Sequence, residues 1–332
     1  MELLFQPYIQ VRANMALVYT RYIGPRRKSY FDRQKELQKH SAHNFQTSKT
    51  YTGSLTAGAI KRLRKSIELL VECSQNRTVY SKVVGKNIQH KLSFITLTIP
   101  TAEKIELKEA TKLLLEPMLR HLRQVHGMKN YVWKVELQER GQLHWHITSD
   151  VYVPHSELRN KWNQLLLRNN YMSEYLQKKG HSNANSTDIH SVRKVRDLSA
   201  YLVKYFTKKS QNPEQLQGKI WDCSKNLKSA KYFETELTAD CEFDIYQHEG
   251  KGNIKLIRKD KFTLIRFNKM RPIAILPIEC RKAYHQNLVD IREGVVRSKV
   301  CTKNNTTVLN LVHQKQDSSK ITFKGQQLTL RL

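Results

Sequence analysis

Two histidines stand one residue apart in the stretch GQLHWHITSD, which runs from Gly141 to Asp150. The run alternates apolar and polar residues, which predicts a strand, so His144 and His146 project from the same face of a sheet. Two imidazoles on one face are donors for a divalent metal ion. With 13 histidines in 332 residues, such a pair is unremarkable by itself, and its surroundings decide its meaning.

A turn that ends at Gly141 separates two alternating runs, YVWKVELQ and QLHWHITS, and predicts a β-hairpin. If Gly141 supplies the left-handed residue of a three-residue turn, Glu136 lies opposite His144, with Cβ atoms about 5 Å apart. A carboxylate and two imidazoles form a site for Mg²⁺ or Mn²⁺, which can polarise a phosphoryl oxygen. A two-residue turn would put Glu136 opposite Trp145, with Glu139 as the second candidate carboxylate. Structural histidines remain the alternative.

The stretch RDLSAYLVKYFTKK predicts an amphipathic helix with a core-facing stripe of Leu198, Leu202 and Phe206. Tyr201, Lys204 and Lys208 share a face away from that stripe, and Tyr205 lies on the boundary. A tyrosine with a lysine one turn further on is a candidate nucleophile toward a phosphodiester, because the lysine stabilises phenolate or phosphate charge. For Tyr205, a ring packed at the edge of the core is the alternative.

The charge of the chain favours polyanionic partners. Lys and Arg number 58 against 29 Asp and Glu, which gives a formal charge of +29. No apolar run approaches the roughly 20 residues that span a bilayer, and no signal peptide is recognisable, so no membrane partner is predicted. The absence of a G-x-x-x-x-G-K-[ST] loop predicts no nucleotide cofactor and no ATP-driven motor. Five widely spaced cysteines without a C-x-x-C pair indicate reduced thiols in a cytosol-like compartment.

The elements around these residues alternate between strands and helices. Residues 91–99 predict a strand, 106–125 a helix interrupted near Pro117, 155–171 a second helix and 188–195 a short strand. Residues 59–73 predict a helix that docks on the surface by its apolar stripe, in preference to a dedicated DNA-binding helix. CEFDIYQ, NIKLI and FTLIRF, all beyond residue 240, are predicted strands, and 278–293 a helix.

Three stretches in this order resemble the motifs of HUH-family rolling-circle replication initiators. FITLT (residues 94–98) resembles the first motif, HWH (144–146) the His-hydrophobic-His motif and YLVKY (201–205) the Tyr-x-x-Lys-Tyr motif. The similarity is closest to the initiators of small single-stranded DNA phages and related plasmids, and it covers roughly residues 90–230.

The resemblance implies an α+β fold, in which a central five-stranded antiparallel sheet flanked by helices (the HUH endonuclease fold) carries N- and C-terminal extensions. The expected organisation is a basic N-terminal region with one helix (1–88), the endonuclease domain (89–230) and a C-terminal region of uncertain role with a basic, flexible tail (231–332). The central strands would carry the histidines, and a helix would present the tyrosine.

The resemblance also assigns roles. It makes His144, His146 and Glu136 ligands of a divalent metal, Tyr201 the nucleophile and Lys204 its assisting lysine. Tyr205 would serve a second strand transfer. The remaining predicted DNA contacts are Lys208, Thr96 and Thr98.

The implied activity is the nicking and rejoining of one DNA strand at a replication origin. The tyrosine becomes linked to the 5′ phosphate and leaves a 3′ hydroxyl for a host polymerase. Single-stranded origin DNA, a host helicase and a host polymerase are then the expected partners, in the cytoplasm of a bacterial host. A relaxase or single-tyrosine transposase shares this chemistry. A non-catalytic basic nucleic-acid-binding protein is the alternative from another class, because the charge supports it equally.

Overall fold

The computed structural model describes residues 5–24, 53–81, 85–101, 105–138, 141–192, 198–208, 216–268 and 270–295. The strands of these residues are β1 (Phe5–Val11), β2 (Met15–Tyr22), β3 (Arg77–Ser81), β4 (Lys86–His90), β5 (Leu92–Thr98), β6 (Tyr131–Leu137), β7 (Leu143–Ser149), β8 (Thr187–Val192), β9 (Trp221–Cys223), β10 (Phe233–Glu236), β11 (Ile254–Lys259) and β12 (Phe262–Phe267). The α-helices are α1 (Ala57–Cys73), α2 (Leu107–Ala110), α3 (Glu116–Val125), α4 (His155–Arg168), α5 (Ser173–Lys179), α6 (Leu198–Thr207), α7 (Lys225–Ser229), α8 (Ala239–Gly250) and α9 (Ile278–Glu293).

The central sheet has five antiparallel strands in the order β8-β5-β7-β6-β9. The predicted α+β class is confirmed, and both histidines lie on the middle strand, β7. The order follows from the hairpin of β6 and β7, onto which β5 adds beside β7 and the short β9 adds beside β6. A separate hairpin pairs β3 with β4.

The register of the β6–β7 hairpin is the predicted one. Glu136 lies opposite His144 and Leu137 opposite Leu143, and the Gln138 amide donates to the Gln142 carbonyl at 2.9 Å. Gly141 has a φ of +82°, the left-handed conformation that the turn requires. Glu139, the second candidate carboxylate, lies outside the described residues.

One face of the central sheet packs into the main core. Ile95, Val135 and Ile147 are fully buried there, and Trp145 packs edge-on against Trp162 with ring centroids 5.9 Å apart. Trp145 therefore points away from the histidines that flank it, as strand alternation predicts.

Helices α1 and α6 cover part of the opposite face. Leu63, Ile67 and Leu70 of α1 and Leu198, Leu202 and Phe206 of α6 join one apolar cluster with Leu92 and Phe94. The docked surface helix predicted for residues 59–73 is thus confirmed. The predicted helix wheel of α6 is confirmed as well, since Leu202 and Phe206 are fully buried and Tyr201 and Lys204 are exposed.

The interruption predicted near Pro117 is a π-helical segment, Thr111–Leu115, between α2 and α3. Pro117 has no N–H to offer the carbonyl of Leu113, so the regular i to i−4 ladder cannot continue across it. Asn169 Nδ2 lies 3.5 Å from that carbonyl and partly replaces the missing donor.

A second sheet, in the order β10-β1-β2-β12-β11, combines strands from both ends of the chain. The predicted strands NIKLI and FTLIRF become β11 and β12, and the predicted helix at 278–293 is α9. Strands β1 and β2 were not predicted. The unit docks onto α1 through a hydrogen bond from the Tyr284 hydroxyl to Glu72, and Asn130 Nδ2 donates to the Arg292 carbonyl at 3.0 Å.

The strand predicted for CEFDIYQ is wrong, because these residues lie in α8. Thr238 caps the helix by accepting a hydrogen bond from the Cys241 amide. Cys241 and Ile245 are buried four residues apart, as on one helix face, whereas Phe243 and Tyr246 are exposed. The apolar alternation that suggested a strand therefore does not correspond to burial.

Four of the five cysteines, Cys73, Cys223, Cys241 and Cys280, are buried free thiols. Cys301 and the predicted flexible tail lie outside the described residues. Within the part of the chain that the structure describes, no helix has the length and apolarity to cross a membrane.

Candidate active site

The candidate site occupies the face of β5, β6 and β7 that the histidines share, which we call the site face. Cross-strand pairing places six polar side chains there in two adjacent rows. The rows are Thr98–His144–Glu136 and Thr96–His146–Lys134. Because partners in an antiparallel register project together, the sheet itself brings the predicted ligands side by side.

The two imidazoles contact each other edge to face, with ring centroids 4.4 Å apart. Nδ1 of His144 lies 2.8 Å from Thr98 Oγ1 and 3.0 Å from Gln138 Nε2, so the ring orientation is fixed from two sides. Burial, with a contribution from neighbouring His146, lowers the pKa of His144 to about 4. The ring is therefore neutral at pH 7, which is the form that binds a metal ion.

Glu136 is held between a lysine and a histidine. One carboxylate oxygen lies 2.6 Å from Lys134 Nζ, and the other lies 3.6 Å from His146 Nε2. Burial alone would raise the pKa of Glu136, but the hydrogen bonds to His146 and Lys134 outweigh it and lower the pKa to about 2. The carboxylate is therefore ionised at neutral pH.

Lys134 is a site residue that the sequence analysis missed. Its side chain is 2 % exposed, and its ammonium donates to the Lys208 carbonyl at 2.7 Å as well as to Glu136. The signal was present, because Lys134 stands two residues before Glu136 and so shares its face. A buried lysine that ties β6 to the end of α6 positions Glu136 and that helix relative to each other.

The hydroxyl of Tyr205 lies 2.9 Å from His146 Nε2, so α6 contacts the histidines directly. The Tyr205 ring is half-buried and packs edge-on against Phe94, with centroids 5.0 Å apart. Burial raises the pKa of Tyr205, and the charge of Glu136 adds to the effect. Both interpretations of Tyr205, a core-edge ring and a site residue, therefore describe the same side chain.

Tyr201 lies one helical turn before Tyr205 and is 45 % exposed. Lys204 and the Lys208 side chain are exposed on the same helix or at its end. The structure thus presents Tyr201 and Lys204 to solvent near the site face, while Tyr205 fills the position against His146.

Thr96 and Thr98, predicted as DNA contacts, lie on β5 opposite the two histidines. Thr96 Oγ1 is 3.4 Å from His146 Nδ1, a weaker contact than that of Thr98 to His144. Both hydroxyls therefore support the imidazoles, and their contact with DNA stays a prediction.

Edge strand β8 adds two polar residues that the sequence analysis did not place in the site. Asp188 lies opposite Thr96 on the site face, and His190 follows two residues later. Their side chains, both mostly exposed, are 3.5 Å apart. The alternating D-I-H of the predicted strand was the available signal.

The donor set fits a divalent cation in its chemistry, since two imidazoles and an ionised carboxylate share one face. Among the described residues, however, no three His, Cys, Asp or Glu side chains already converge as a metal site. The reason is visible in the contacts, because Tyr205 engages His146 Nε2 and Lys134 engages Glu136. A cation held by His144, His146 and Glu136 would have to displace the Tyr205 hydroxyl.

Comparison with known proteins gives one match. Neither a curated protein nor a solved structure matches the chain significantly. Residues 92–210, which include β5 to β8 and α6, match a family model described as a replication-associated protein of the ORF2 type. This segment is therefore similar to replication-associated proteins and consistent with a replication initiator.

Proposed function

We propose that the chain is a replication initiator that nicks and rejoins single-stranded origin DNA through a tyrosine nucleophile. The observation that carries the proposal is the joining of a tyrosine helix to a two-histidine, one-carboxylate row, through the 2.9 Å contact from Tyr205 to His146. A basic surface alone would need neither element. The match of this segment to replication-associated proteins supports the same role.

In the proposed reaction the Tyr201 hydroxyl attacks the scissile phosphorus. A bond forms between the tyrosine oxygen and phosphorus, and the bond to the 3′ oxygen of the preceding nucleotide breaks. The tyrosine loses its proton, and the departing 3′ oxygen gains one, so the products are a 5′-phosphotyrosine and a free 3′ hydroxyl. Lys204, three residues after Tyr201 on the exposed side of α6, stabilises the charge that develops on phenolate and phosphate.

The residues on the site face orient the reacting groups. A Mg²⁺ or Mn²⁺ ion bound by His144, His146 and Glu136 would supply a Lewis acid for the phosphoryl oxygen. Thr98 fixes the ring of His144, and Lys134 keeps Glu136 ionised and in place. Such supporting contacts hold ligands within the narrow range of geometry that catalysis needs.

Tyr205 is placed for the second strand transfer that the resemblance implies. Its hydroxyl already contacts His146, whereas Tyr201 is open to an incoming strand. The two tyrosines, four residues apart on one helix face, could then alternate between cleavage and rejoining. Replication in a bacterial cytoplasm would require a host helicase and a host polymerase, since the sequence carries no phosphate-binding loop.

The test combines cleavage with binding. Single-stranded oligonucleotides that tile both strands of the encoding replicon are incubated with the protein and Mn²⁺, and covalent adducts are separated on denaturing gels. We expect His144→Ala and His146→Ala to abolish the adduct but to keep most of the DNA affinity, because the charge of +29 is spread over the chain. His285→Ala, at an exposed position of α9, is the matched control and should retain both.

A non-catalytic nucleic-acid-binding protein is the second candidate, favoured by the same net charge. It predicts salt-sensitive binding without an adduct on any strand, with or without metal. A loss of binding as deep as the loss of cleavage in both histidine variants would also contradict the proposed division between chemistry and affinity.

A further inference from the structure

A cavity of about 360 Å³ opens beside the tyrosine helix, where the β1–β2 turn, α1 and α6 meet. Its volume lies within the range of roughly 300–1,000 Å³ typical of ligand sites. Each of the three elements contributes one cation: Arg12 from the turn, Arg64 from α1 and Lys204 from α6. The cavity therefore joins residues distant in sequence into one basic site.

The three cations are not neutralised by ion pairs. No ion pair links them to a carboxylate in the described part of the chain. Glu68 is the one carboxylate among the described lining residues, and it accepts a hydrogen bond from the Tyr232 hydroxyl at 2.6 Å. The cavity consequently has a surplus of positive charge.

The arginines are held toward the cavity by packing. The Arg12 guanidinium lies 4.7 Å from the centroid of the Tyr232 ring, and its Nε donates to Gln10 at 3.0 Å. Burial and Glu68 raise the pKa of Tyr232, and Arg12 and Arg64 both oppose that rise, which places both guanidinium groups near the same hydroxyl. Mutual repulsion between such cations is relieved when an anion binds between them.

The neutral lining residues have the same chemistry. Asn14 Nδ2 lies 3.1 Å from Ser199 Oγ, which ties the turn to the first turn of α6, and Thr207 also lines the cavity. Arg, Lys, Asn, Ser and Thr side chains are the groups that contact the phosphates of DNA.

Lys204 links this cavity to the proposed reaction. It lines the cavity and lies three residues beyond Tyr201, a rise of about 4.5 Å along α6. Successive phosphates of one DNA strand are spaced by a comparable distance, about 3.4 Å per nucleotide along a duplex and more when extended. A strand whose scissile phosphate reaches Tyr201 therefore brings a neighbouring phosphate to the cavity.

We propose that this cavity binds the backbone phosphates of the single-stranded DNA next to the cleaved linkage, so that the second sheet contributes its β1–β2 turn to the DNA site. The inference rests on the proposed function in taking DNA as the partner. It adds a second anchoring point, built from Arg12 and Arg64, that the three motifs do not contain.

The test compares Arg64→Gln with Lys61→Gln, which removes the same charge from an exposed position of the same helix outside the cavity. Affinity for an oligothymidylate of about 20 nucleotides, longer than the site of one single-strand-binding domain, is measured by fluorescence anisotropy across a salt series. Arg64→Gln should weaken binding roughly tenfold and reduce the salt slope by about 0.7, the value for one phosphate contact. Adding Arg12→Gln should reduce the slope by about 1.4 in total.

Equal affinities and slopes for Arg64→Gln and Lys61→Gln would overturn the inference. Arg64→Lys, which keeps the charge, should retain most of the slope, and its failure to do so would point to a structural role for Arg64. If the wild type forms no adduct but the Arg64 effect is present, nicking fails and the cavity stands. If the adduct forms and Arg64→Gln behaves like Lys61→Gln, the cavity alone fails.

Discussion

The Lys134–Glu136 pair makes the stability of the chain depend unequally on its two members. The Lys134 side chain is 2 % exposed and that of Glu136 is 23 % exposed. Glu136→Gln leaves the Lys134 ammonium buried with the Lys208 carbonyl as its other hydrogen-bond partner, whereas Lys134→Met leaves a carboxylate that can turn toward water. We therefore expect Glu136→Gln to be the more destabilising substitution.

The magnitudes follow from the burial. Breaking a buried ion pair by removing one partner costs about 3–5 kcal/mol, and the partial exposure of Glu136 favours the lower end, about 3 kcal/mol. Lys134→Met keeps most of the side-chain volume and should cost about 1 kcal/mol. The double variant Lys134→Met/Glu136→Gln contains no buried charge and should lie within about 1 kcal/mol of the wild type, a coupling of about 3 kcal/mol.

Calorimetric melting in the presence of a chelator measures these differences, at roughly 2–4 °C per kcal/mol for a chain of moderate size. Glu136→Gln should melt at least about 6 °C below the wild type, and adding Lys134→Met should raise its melting temperature. A Glu136→Gln protein as stable as Lys134→Met, or a double variant less stable than Glu136→Gln, would refute the reasoning that a buried ammonium is balanced by Glu136.

Three further predictions concern the same site. As the pH falls from 6.5 toward 4, the unfolded chain protonates His144 first, because its folded pKa is about 4, so stability is lost in this window. His144→Gln should show a shallower decline of melting temperature between pH 7 and 4, and an unchanged slope would contradict this origin. Thr98→Val removes the 2.8 Å contact to His144 and should weaken Mn²⁺ binding, followed by electron paramagnetic resonance, about 10–100-fold; unaltered binding would count against its supporting role. Tyr205→Phe frees His146 Nε2 and should tighten Mn²⁺ binding about fivefold, the equivalent of one net hydrogen bond, whereas weaker binding would mean that the hydroxyl assists the ion.

The hairpin could be predicted from sequence because its constraints are local. Alternation fixes which residues share a face, and Gly141 fixes the turn, so together they determine that Glu136 lies opposite His144. The burial of Leu198, Leu202 and Phe206 followed from helical periodicity in the same way.

The rest depended on contacts between distant segments. Strands β1 and β2 pair with β10 and β12, more than 200 residues away, and no local pattern announces such a partner. Helix α8 was misread because alternating apolar letters at Cys241, Phe243 and Ile245 resemble a strand when burial is unknown. The contact of Tyr205 with His146 depends on how α6 packs against the sheet, which a helical wheel cannot supply.

The identity of the covalently linked tyrosine tests the central claim most directly. Wild-type protein, Tyr201→Phe and Tyr205→Phe are incubated with the cleaved origin strand and Mn²⁺, and the nucleotide-bearing peptide is identified by mass spectrometry. The account predicts an initial adduct on Tyr201 in the wild type and in Tyr205→Phe, and none in Tyr201→Phe. An adduct that persists in Tyr201→Phe would contradict the assignment of the nucleophile, and the absence of any adduct in the wild type would contradict the proposed chemistry.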